Sequence, residues 1–255
     1  MSGARMEYTK LGKSGVEISK FCVGCMSFGK TSADFHEWTL DSEKTEAVVR
    51  HALDLGINFF DTANTYAYGT SEEYLGRAIK NCIPRDRVVL ASKVYFNEGY
   101  LSAKAIAREI DGTLRRLGTD YLDLYIIHRF DSSTPIGETM EALDALVRAG
   151  KVRALGASAM YGYQFYNMQL YARDHSLTPL VSMQNHYNLL YRDDERELIP
   201  ICEQMHVART PYSPLAAGRL CRTASWGHCR HKSNRIAEGD PTFAGALFSA
   251  IPISK

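Results

Sequence analysis

The chain has 255 residues, which suits one large α/β domain, and its 30 lysines and arginines nearly balance 29 acidic residues. This balance gives no basic surface for nucleic acid or for an anionic membrane, so a small molecule is the expected partner. There is no run of about 18 apolar residues, and the N-terminus has no apolar signal core, which predicts a cytoplasmic protein.

The first elements in chain order are a hairpin, a buried strand and a helix. Residues 6–20 alternate loosely in polarity, which predicts a hairpin that plugs or flanks one end of the main fold. Residues 21–26 form the first buried strand. After a polar loop, Asp41 or Ser42 caps a helix, and Gly56 ends it.

Four of the six cysteines lie in periodic apolar segments: Cys22, Cys25, Cys82 and Cys202. Cys22 and Cys25 form a C-x-x-C pair, which is also half of a redox or zinc motif. No second cysteine pair or histidine pair stands at ligand spacing, so the sequence favours core cysteines in a reduced compartment and predicts no metal site.

The stretch 56–79 is the one around which the chain is organised. A short apolar run, residues 57–60, ends at Asp61, and the loop that follows carries Tyr66. The polar cluster Ser71, Glu72 and Glu73 predicts a capped helix start. Asp61 therefore lies at the carboxyl end of a buried strand, where α/β barrels place catalytic groups.

The same unit of a buried strand and an amphipathic helix then recurs. The strands are predicted at 88–93, 121–128, 152–158, 180–184 and 207–214. One helix is predicted at 106–117, with Gly118 as its stop, and another at 162–173. A third begins with an N-cap at Thr134 and an N1 proline at Pro135 and ends at Gly150, and a fourth runs from the acidic run 193–197 to Met205.

Strand ends recur about every 30 residues, which predicts parallel strands in an α/β (β/α)8 TIM-type barrel. No Gly-x-Gly-x-x-Gly follows a strand, which argues against a Rossmann dinucleotide site.

The C-terminal part of the chain is different. We predict one domain, 1–255, in which the pattern is lost from Cys221 and 221–255 is a divergent tail. Only 243–251 is a candidate for the eighth strand, and its glycine and alanines make it a poor one. The sequence therefore predicts that the eighth β/α unit is incomplete. If 243–251 does not pair, the first and seventh strands of the barrel are left with open edges.

Successive strand ends bring Asp61, Lys93 and His128 to one rim of the barrel, next to Tyr66 in the adjoining loop. This set suits carbonyl reduction. Tyrosine, with a pKa of about 10, is a weak acid unless a cation stabilises its phenolate, which Lys93 can do while Asp61 compensates the lysine. Tyr66 would give its proton to the substrate oxygen, His128 would orient the carbonyl, and a cofactor must supply the hydride.

Several motifs together resemble the aldo-keto reductases: GINFFDTANTY at 56–66, LASK at 90–93, IIH at 126–128, GAS at 156–158, QN at 184–185 and PYSPL at 211–215. Within that family the chain looks like the bacterial and plant branch that includes potassium-channel β subunits. The resemblance covers roughly residues 6–220. It implies a (β/α)8 barrel with an N-terminal hairpin, and NADPH as cofactor, with Asp61, Tyr66, Lys93 and His128 as the catalytic tetrad.

The resemblance also implies how the cofactor is held. Ser158 and Gln184 would hold the nicotinamide carboxamide, and Tyr212 would stack on its ring. Ser213, Leu215, Gly218 and Arg219 would lie along the pyrophosphate. Ala159 departs from the asparagine or serine of many relatives.

The phosphate-binding segment expected after the seventh strand has no counterpart, as if the last quarter of a family member were replaced or truncated. We therefore expect weak NADPH binding with little preference over NADH.

The sequence leaves two other functions open. A Schiff-base aldolase would use Lys93 as its nucleophile, and a regulatory or degenerate reductase-like protein would bind cofactor weakly or not at all. Substrate specificity is expected to lie in the loops 28–38, 95–100 and 129–133, whose aromatic residues predict either an apolar pocket wall or ordinary packing.

Overall fold

The computed structural model describes residues 5–31, 38–221 and 248–250. Its strands are β1 Tyr8–Lys10, β2 Glu17–Ser19, β3 Phe21–Gly24, β4 Phe59–Asp61, β5 Val89–Val94, β6 Leu124–Ile127, β7 Leu155–Ser158, β8 Leu180–Gln184, β9 Ala208–Arg209 and β10 Phe248–Ala250. Its helices are α1 Ser42–Asp54, α2 Thr70–Cys82, α3 Ala103–Leu117, α4 Ile136–Arg148, α5 Gly162–Asp174 and α6 Leu198–Met205.

Strands β3 to β9 pair in chain order, all parallel, in one curled sheet with helices outside it. Strand follows helix along the sheet as in a TIM-type barrel, which confirms the predicted fold class. β1 and β2 form the predicted antiparallel hairpin before the barrel.

β10 lies inside the segment proposed for the eighth strand and pairs with β3, with Phe248 opposite Val23. The pairing is antiparallel, whereas an eighth β/α unit would add a parallel strand, so this part of the prediction is wrong in direction. Within the described residues, β9 pairs only with β8. The rest of the divergent tail, 222–247 and 251–255, lies outside the described residues.

The hairpin closes one end of the barrel interior. Leu11 and Ile18 are fully buried and pack with inward residues of the strands, such as Phe59 and Ile126. A Cβ at Gly12 would lie 2.4 Å from the carbonyl oxygen of Val181, so the hairpin turn meets the sheet at contact distance. This confirms that the hairpin plugs the barrel.

The second core lies between the sheet and the helices, and α3 shows how the sequence pattern produces it. Ile106, Ile110, Leu114 and Leu117 face the sheet in one stripe. The Ser102 side chain caps the first turn, and Gly118 ends the helix in the left-handed conformation, as predicted. No helix in the described part of the chain is both long and apolar enough to cross a membrane.

Three helix starts differ from the prediction. α2 begins at Thr70 with Gly69 at its N-cap, and no side chain caps it; Ser71 and Glu72, which were predicted to be part of a capped helix start, are fully buried. Thr134 is not the N-cap of α4, because its hydroxyl donates to the Asp131 carboxylate instead; Pro135 takes that position. The acidic run 193–197 forms a 3₁₀ turn, Asp193–Arg196, and α6 starts after it at Leu198.

The cysteines of the apolar segments pack in the core. Cys22, Cys25 and Cys202 are buried, and Cys82 is partly buried. Burial raises the pKa of the Cys22 and Cys25 thiols well above the ordinary cysteine value. Both thiols are therefore held in their neutral form, as the core interpretation of this C-x-x-C pair requires.

Candidate active site

The parallel strands end at one rim of the barrel and bring the predicted polar residues to it. Asp61, Ser158 and Gln184 are the last residues of β4, β7 and β8, Lys93 is the last but one of β5, and His128 directly follows β6. Hydrogen-bonded register fixes their relative heights, with Ser158 opposite Gln184 and Asp61 opposite Ala91. The five side chains therefore share one end of the sheet.

The Lys93 ammonium is at the centre of the site. Its Nζ donates to Asp61 Oδ2 at 2.5 Å, to the Thr62 carbonyl oxygen at 2.9 Å and to the Tyr66 hydroxyl oxygen at 3.1 Å. Lys93 is fully buried, and Asp61 is 8% exposed. A lysine that is removed from water and given three acceptors has a fixed position, and it holds the Tyr66 hydroxyl next to a positive charge.

Burial and neighbouring charge act in opposite directions on this pair. Burial disfavours the charge of Lys93, but Asp61 and Tyr66 outweigh it, and the pKa of Lys93 is raised above its usual value. Burial raises the pKa of Tyr66, the Lys93 charge opposes that rise, and the net direction is upward. At neutral pH the site therefore contains a charged lysine and a protonated tyrosine.

His128 lies against two aromatic rings. Its imidazole is 5.8 Å from the Tyr66 ring and 4.9 Å from the Phe96 ring, edge to face with both. Burial, together with the positive charges of Lys93 and Arg129, lowers the pKa of His128 to about 2. Its Nδ1 atom is buried and has no hydrogen-bond partner among the described residues. His128 is therefore neutral, and it has unused hydrogen-bonding capacity at the site.

Gln184 links the predicted cofactor residues to the tetrad, which the sequence did not predict. Its Nε2 donates to Asp61 Oδ1 at 3.2 Å, and its backbone carbonyl accepts from the Ala159 N–H. Ala159 has φ = 47°, an uncommon conformation for a residue with a Cβ. Ser158 is buried beside it, so the two side chains offer one hydroxyl and one amide at the same level.

Tyr212 belongs to a stack of three rings. His186 lies between Tyr212, at 5.1 Å and 13°, and Tyr191, at 4.5 Å and 23°. His186 and Tyr191 were absent from the sequence-based candidates, because nothing in the linear sequence brings them against Tyr212. A parallel β-bridge between His186 and Tyr212 continues the pairing of β8 and β9 and brings these two residues together. A second bridge, between Asn188 and Tyr191, folds Tyr191 back toward His186.

The remaining predicted cofactor residues follow Tyr212 in one loop: Ser213, Leu215, Gly218 and Arg219. Ser213, Ala216, Ala217 and Gly218 have positive φ values, so the backbone turns back on itself repeatedly here. Ser213, Ala216 and Ala217 carry a Cβ and are strained in this conformation, and such residues tend to cluster at functional sites. The four predicted cofactor residues thus lie in the loop after β9, at the same end of the sheet as the tetrad, whereas residues 222–247 lie outside the described residues.

Residues 20–234 match the model of the aldo/keto reductase family. The chain belongs to the aldo/keto reductase family. This confirms the resemblance at family level, and the family is one of oxidoreductases; the narrower bacterial and plant branch is not confirmed.

Similar aldo/keto reductases come from fungi and yeasts. An aldo-keto reductase of Fusarium vanettenii is 40% identical over 254 residues, which cover 88% of this chain and 68% of that protein. The versiconal hemiacetal acetate reductase of Aspergillus parasiticus is 40% identical over 241 residues, covering 85% and 69%. A putative aryl-alcohol dehydrogenase of Schizosaccharomyces pombe is 40% identical over 245 residues, covering 85% and 69%.

Proposed function

We propose that this aldo/keto reductase reduces the aldehyde or ketone group of a small molecule to an alcohol, with a nicotinamide cofactor, NADPH, and with Tyr66 as general acid. The supporting observation is the buried Lys93 ammonium, which is hydrogen-bonded to both Asp61 and Tyr66. A tyrosine needs such a neighbour, because its proton leaves easily only when a cation stabilises the phenolate.

The residues at the rim fit the nicotinamide end of such a cofactor. The Ser158 hydroxyl and the Gln184 amide combine donors and acceptors, as a carboxamide requires, and they lie side by side in register. Tyr212 offers a ring that is stacked flat on His186. Gly218 has φ = +85°, and no atom of the described residues lies within 4 Å of where its Cβ would be, so these residues leave its backbone accessible to a phosphate.

The cofactor supplies the hydride, and the chain's own residues handle the proton. Tyr66 donates its hydroxyl proton to the substrate oxygen as that oxygen gains charge. Lys93 stabilises the phenolate that remains, and Asp61 keeps the lysine charged in the buried site. The raised pKa of Tyr66 keeps the acid protonated before the reaction, and Lys93 lowers the cost of losing the proton.

His128 orients the carbonyl group and is not the acid. With a pKa of about 2 it is neutral, and a neutral imidazole N–H donates a hydrogen bond without giving up its proton readily. Phe96 packs against this imidazole and is 48% exposed, so it offers an apolar wall beside the reacting group. The names of the relatives, a reductase and an aryl-alcohol dehydrogenase, support this type of reaction.

The two other functions fit the site less well. An aldolase nucleophile needs a neutral amine, whereas Asp61 and Tyr66 keep Lys93 charged and its pKa raised. A regulatory protein without catalysis would not need the buried arrangement of Asp61, Lys93 and Tyr66, since a buried ion pair is costly to form.

Tyr66→Phe tests the proposal because it removes only the proton-donating hydroxyl. We expect kcat for aldehyde reduction to fall by about 10²–10⁴-fold, as general acid catalysis contributes that much. Turnover would be followed by NADPH absorbance, and calorimetric titration with NADPH should give the same dissociation constant for variant and wild type. A variant that keeps more than about a tenth of wild-type turnover, with chemistry rate-limiting, would show that Tyr66 is not the acid.

A further inference from the structure

A buried ion pair lies behind the tetrad, on the outer side of the sheet. Glu72, in the first turn of α2, accepts hydrogen bonds from Arg116 Nε at 2.6 Å and from Ser92 Oγ at 2.5 Å. Glu72 is fully buried. Ser92 precedes Lys93 on β5, so the pair connects α2 and α3 to the strand that carries the central lysine.

Two glycines make room for the Arg116 side chain. A Cβ at Gly69 would lie 2.9 Å from Arg116 Cδ, and a Cβ at Gly112 would lie 2.9 Å from Arg116 Nη1. Gly112 is in the interior of α3, where glycine is less favourable than alanine. A glycine that weakens a helix usually has a packing or functional reason, and here the reason is the space that the Arg116 guanidinium occupies next to Gly112.

The same arginine contacts the turn that carries the proposed acid. Tyr66–Gly69 is a 3₁₀ turn in which Ala67, Tyr68 and Gly69 have φ values of 45°, 55° and 89°. The first two are strained for residues with a Cβ, and such conformations persist only where the surroundings impose them.

From these contacts we infer that Arg116 is a positioning residue for the proposed acid. Its stem packs on Gly69 at the end of the turn, and its guanidinium fixes Glu72, which anchors the start of α2 to β5. The turn is thereby held in its strained form, and the Tyr66 hydroxyl stays 3.1 Å from Lys93 Nζ. This inference rests on the proposed role of Tyr66.

The chain contains a matched control for this pair. Arg85 is 21% exposed and bonds the buried Asp123 at 2.7 Å, while Arg116 is also 21% exposed and bonds Glu72 at 2.6 Å. Arg85 lies before β5, at the opposite end of the sheet from the proposed acid. A purely structural role predicts similar behaviour for the two pairs, and a positioning role predicts different behaviour.

The experiment compares Arg116→Met with Arg85→Met in steady-state kinetics and thermal unfolding. We expect Arg116→Met to lower kcat about 10–100-fold, because a displacement of about 1 Å costs this much, with the KM for NADPH within about twofold of wild type. Arg85→Met should leave kcat within about twofold at a similar loss of stability. In the direction of alcohol oxidation, only Arg116→Met should raise the apparent pKa of kcat, and Arg116→Lys should restore part of kcat.

The same substitution in the Tyr66→Phe background separates positioning from general damage. If Arg116 acts through the Tyr66 hydroxyl, Arg116→Met should change the residual turnover of Tyr66→Phe by less than about twofold. Equal losses in both backgrounds would overturn the inference alone. Unchanged turnover in Tyr66→Phe itself would overturn the proposed function, and this inference with it.

Gly112→Ala covers the case in which Arg116→Met does not fold. Alanine is the better helix former, and its Cβ meets only the movable end of the guanidinium, so the variant should fold. Displacement of Nη1 should still lower kcat, by about 3–10-fold, a fraction of the loss expected for a displacement of about 1 Å. A Gly112→Ala protein with wild-type stability and wild-type kcat would overturn the inference.

Discussion

At the amino-terminal end of the sheet, Asp123 accepts hydrogen bonds from Arg85, from Arg153 and from the Leu90 backbone N–H. The two guanidiniums also lie 4.1 and 4.2 Å from the centre of the Tyr121 ring. At the carboxyl-terminal end, the rim of the site leaves two buried polar atoms without a partner among the described residues, His128 Nδ1 and Asn64 Oδ1.

Backbone conformation differs between the two ends in the same way. After helices α1, α3 and α4, left-handed positions are filled by Gly56, Gly118 and Gly150, which adopt them without strain. After the strands, the left-handed positions include several residues with a Cβ: Ala67, Tyr68, Tyr100, Ala159, Ser213, Ala216 and Ala217. The backbone at the amino-terminal end is thus mostly relaxed, with Ser176 and His206 as exceptions. The carboxyl-terminal end carries most of the strain, together with the unpaired His128 and Asn64 atoms, as expected of a functional rim.

This contrast predicts that damage at the amino-terminal end affects stability and leaves catalysis intact. Asp123→Ala removes a carboxylate that is 1% exposed, and the Leu90 N–H, Arg85 and Arg153 all lose this acceptor. Breaking a buried pair costs about 3–5 kcal/mol, and the free energy of unfolding in urea should fall by about that amount. At a temperature where the variant is folded, kcat should stay within about twofold of wild type; a larger loss would contradict the contrast.

The opposite outcome is expected at the carboxyl-terminal rim. In alcohol oxidation the Tyr66 phenolate must act as base, and Lys93→Met removes the cation 3.1 Å from its oxygen. A neighbouring opposite charge shifts a pKa by about 1–3 units, each worth about 1.4 kcal/mol, so the apparent pKa of kcat should rise by about that much.

The pH–rate profile of alcohol oxidation for Lys93→Met and wild type measures this shift. Lys93→Arg provides the control that keeps a positive charge at the site. An unchanged profile in Lys93→Met would show that Lys93 does not tune Tyr66.

The parts of the fold that the sequence predicted well depend on local signals. β8 was predicted at its observed bounds, because residues 180–184 are apolar up to a polar end. Gly118 ended α3 as predicted, because only a left-handed residue satisfies that turn. The strand ends that carry Asp61, Lys93 and His128 follow from the same periodicity, so the tetrad could be proposed without a structure.

The missed features depend on contacts distant in sequence. Ser71 and Glu72 have the composition of an exposed helix start, yet both are buried because Cys25 and Arg116 supply partners from other elements. The one sequence signal for the buried position of Arg116 was Gly112, because a glycine inside a helix usually makes room for a neighbouring group, here the Arg116 guanidinium. The direction of β10 could not be predicted, because a three-residue strand has no pattern that distinguishes parallel from antiparallel pairing.

The smallest predicted effect is the acid sensitivity that His128 confers on the fold. Its pKa is about 2 in the folded protein, against an ordinary value of about 6.5 when the chain is unfolded. Between these values the unfolded chain binds one more proton, so the free energy of unfolding falls as the pH drops below about 6.5, by at most about 1.4 kcal/mol per pH unit. Above about pH 7.5 this contribution is fully present and constant.

His128→Gln removes that proton uptake, so its stability should fall less steeply than that of the wild type below about pH 6.5. Urea unfolding at pH 8, 7, 6 and 5 measures both slopes, and the two curves should run parallel at the upper end. The neighbouring rings of Tyr66 and Phe96 remain in the variant, so any constant loss from poorer packing appears equally at every pH. Curves that stay parallel down to pH 5 would mean that His128 accepts a proton in the folded state, and its assignment as a neutral donor at the carbonyl would then be wrong.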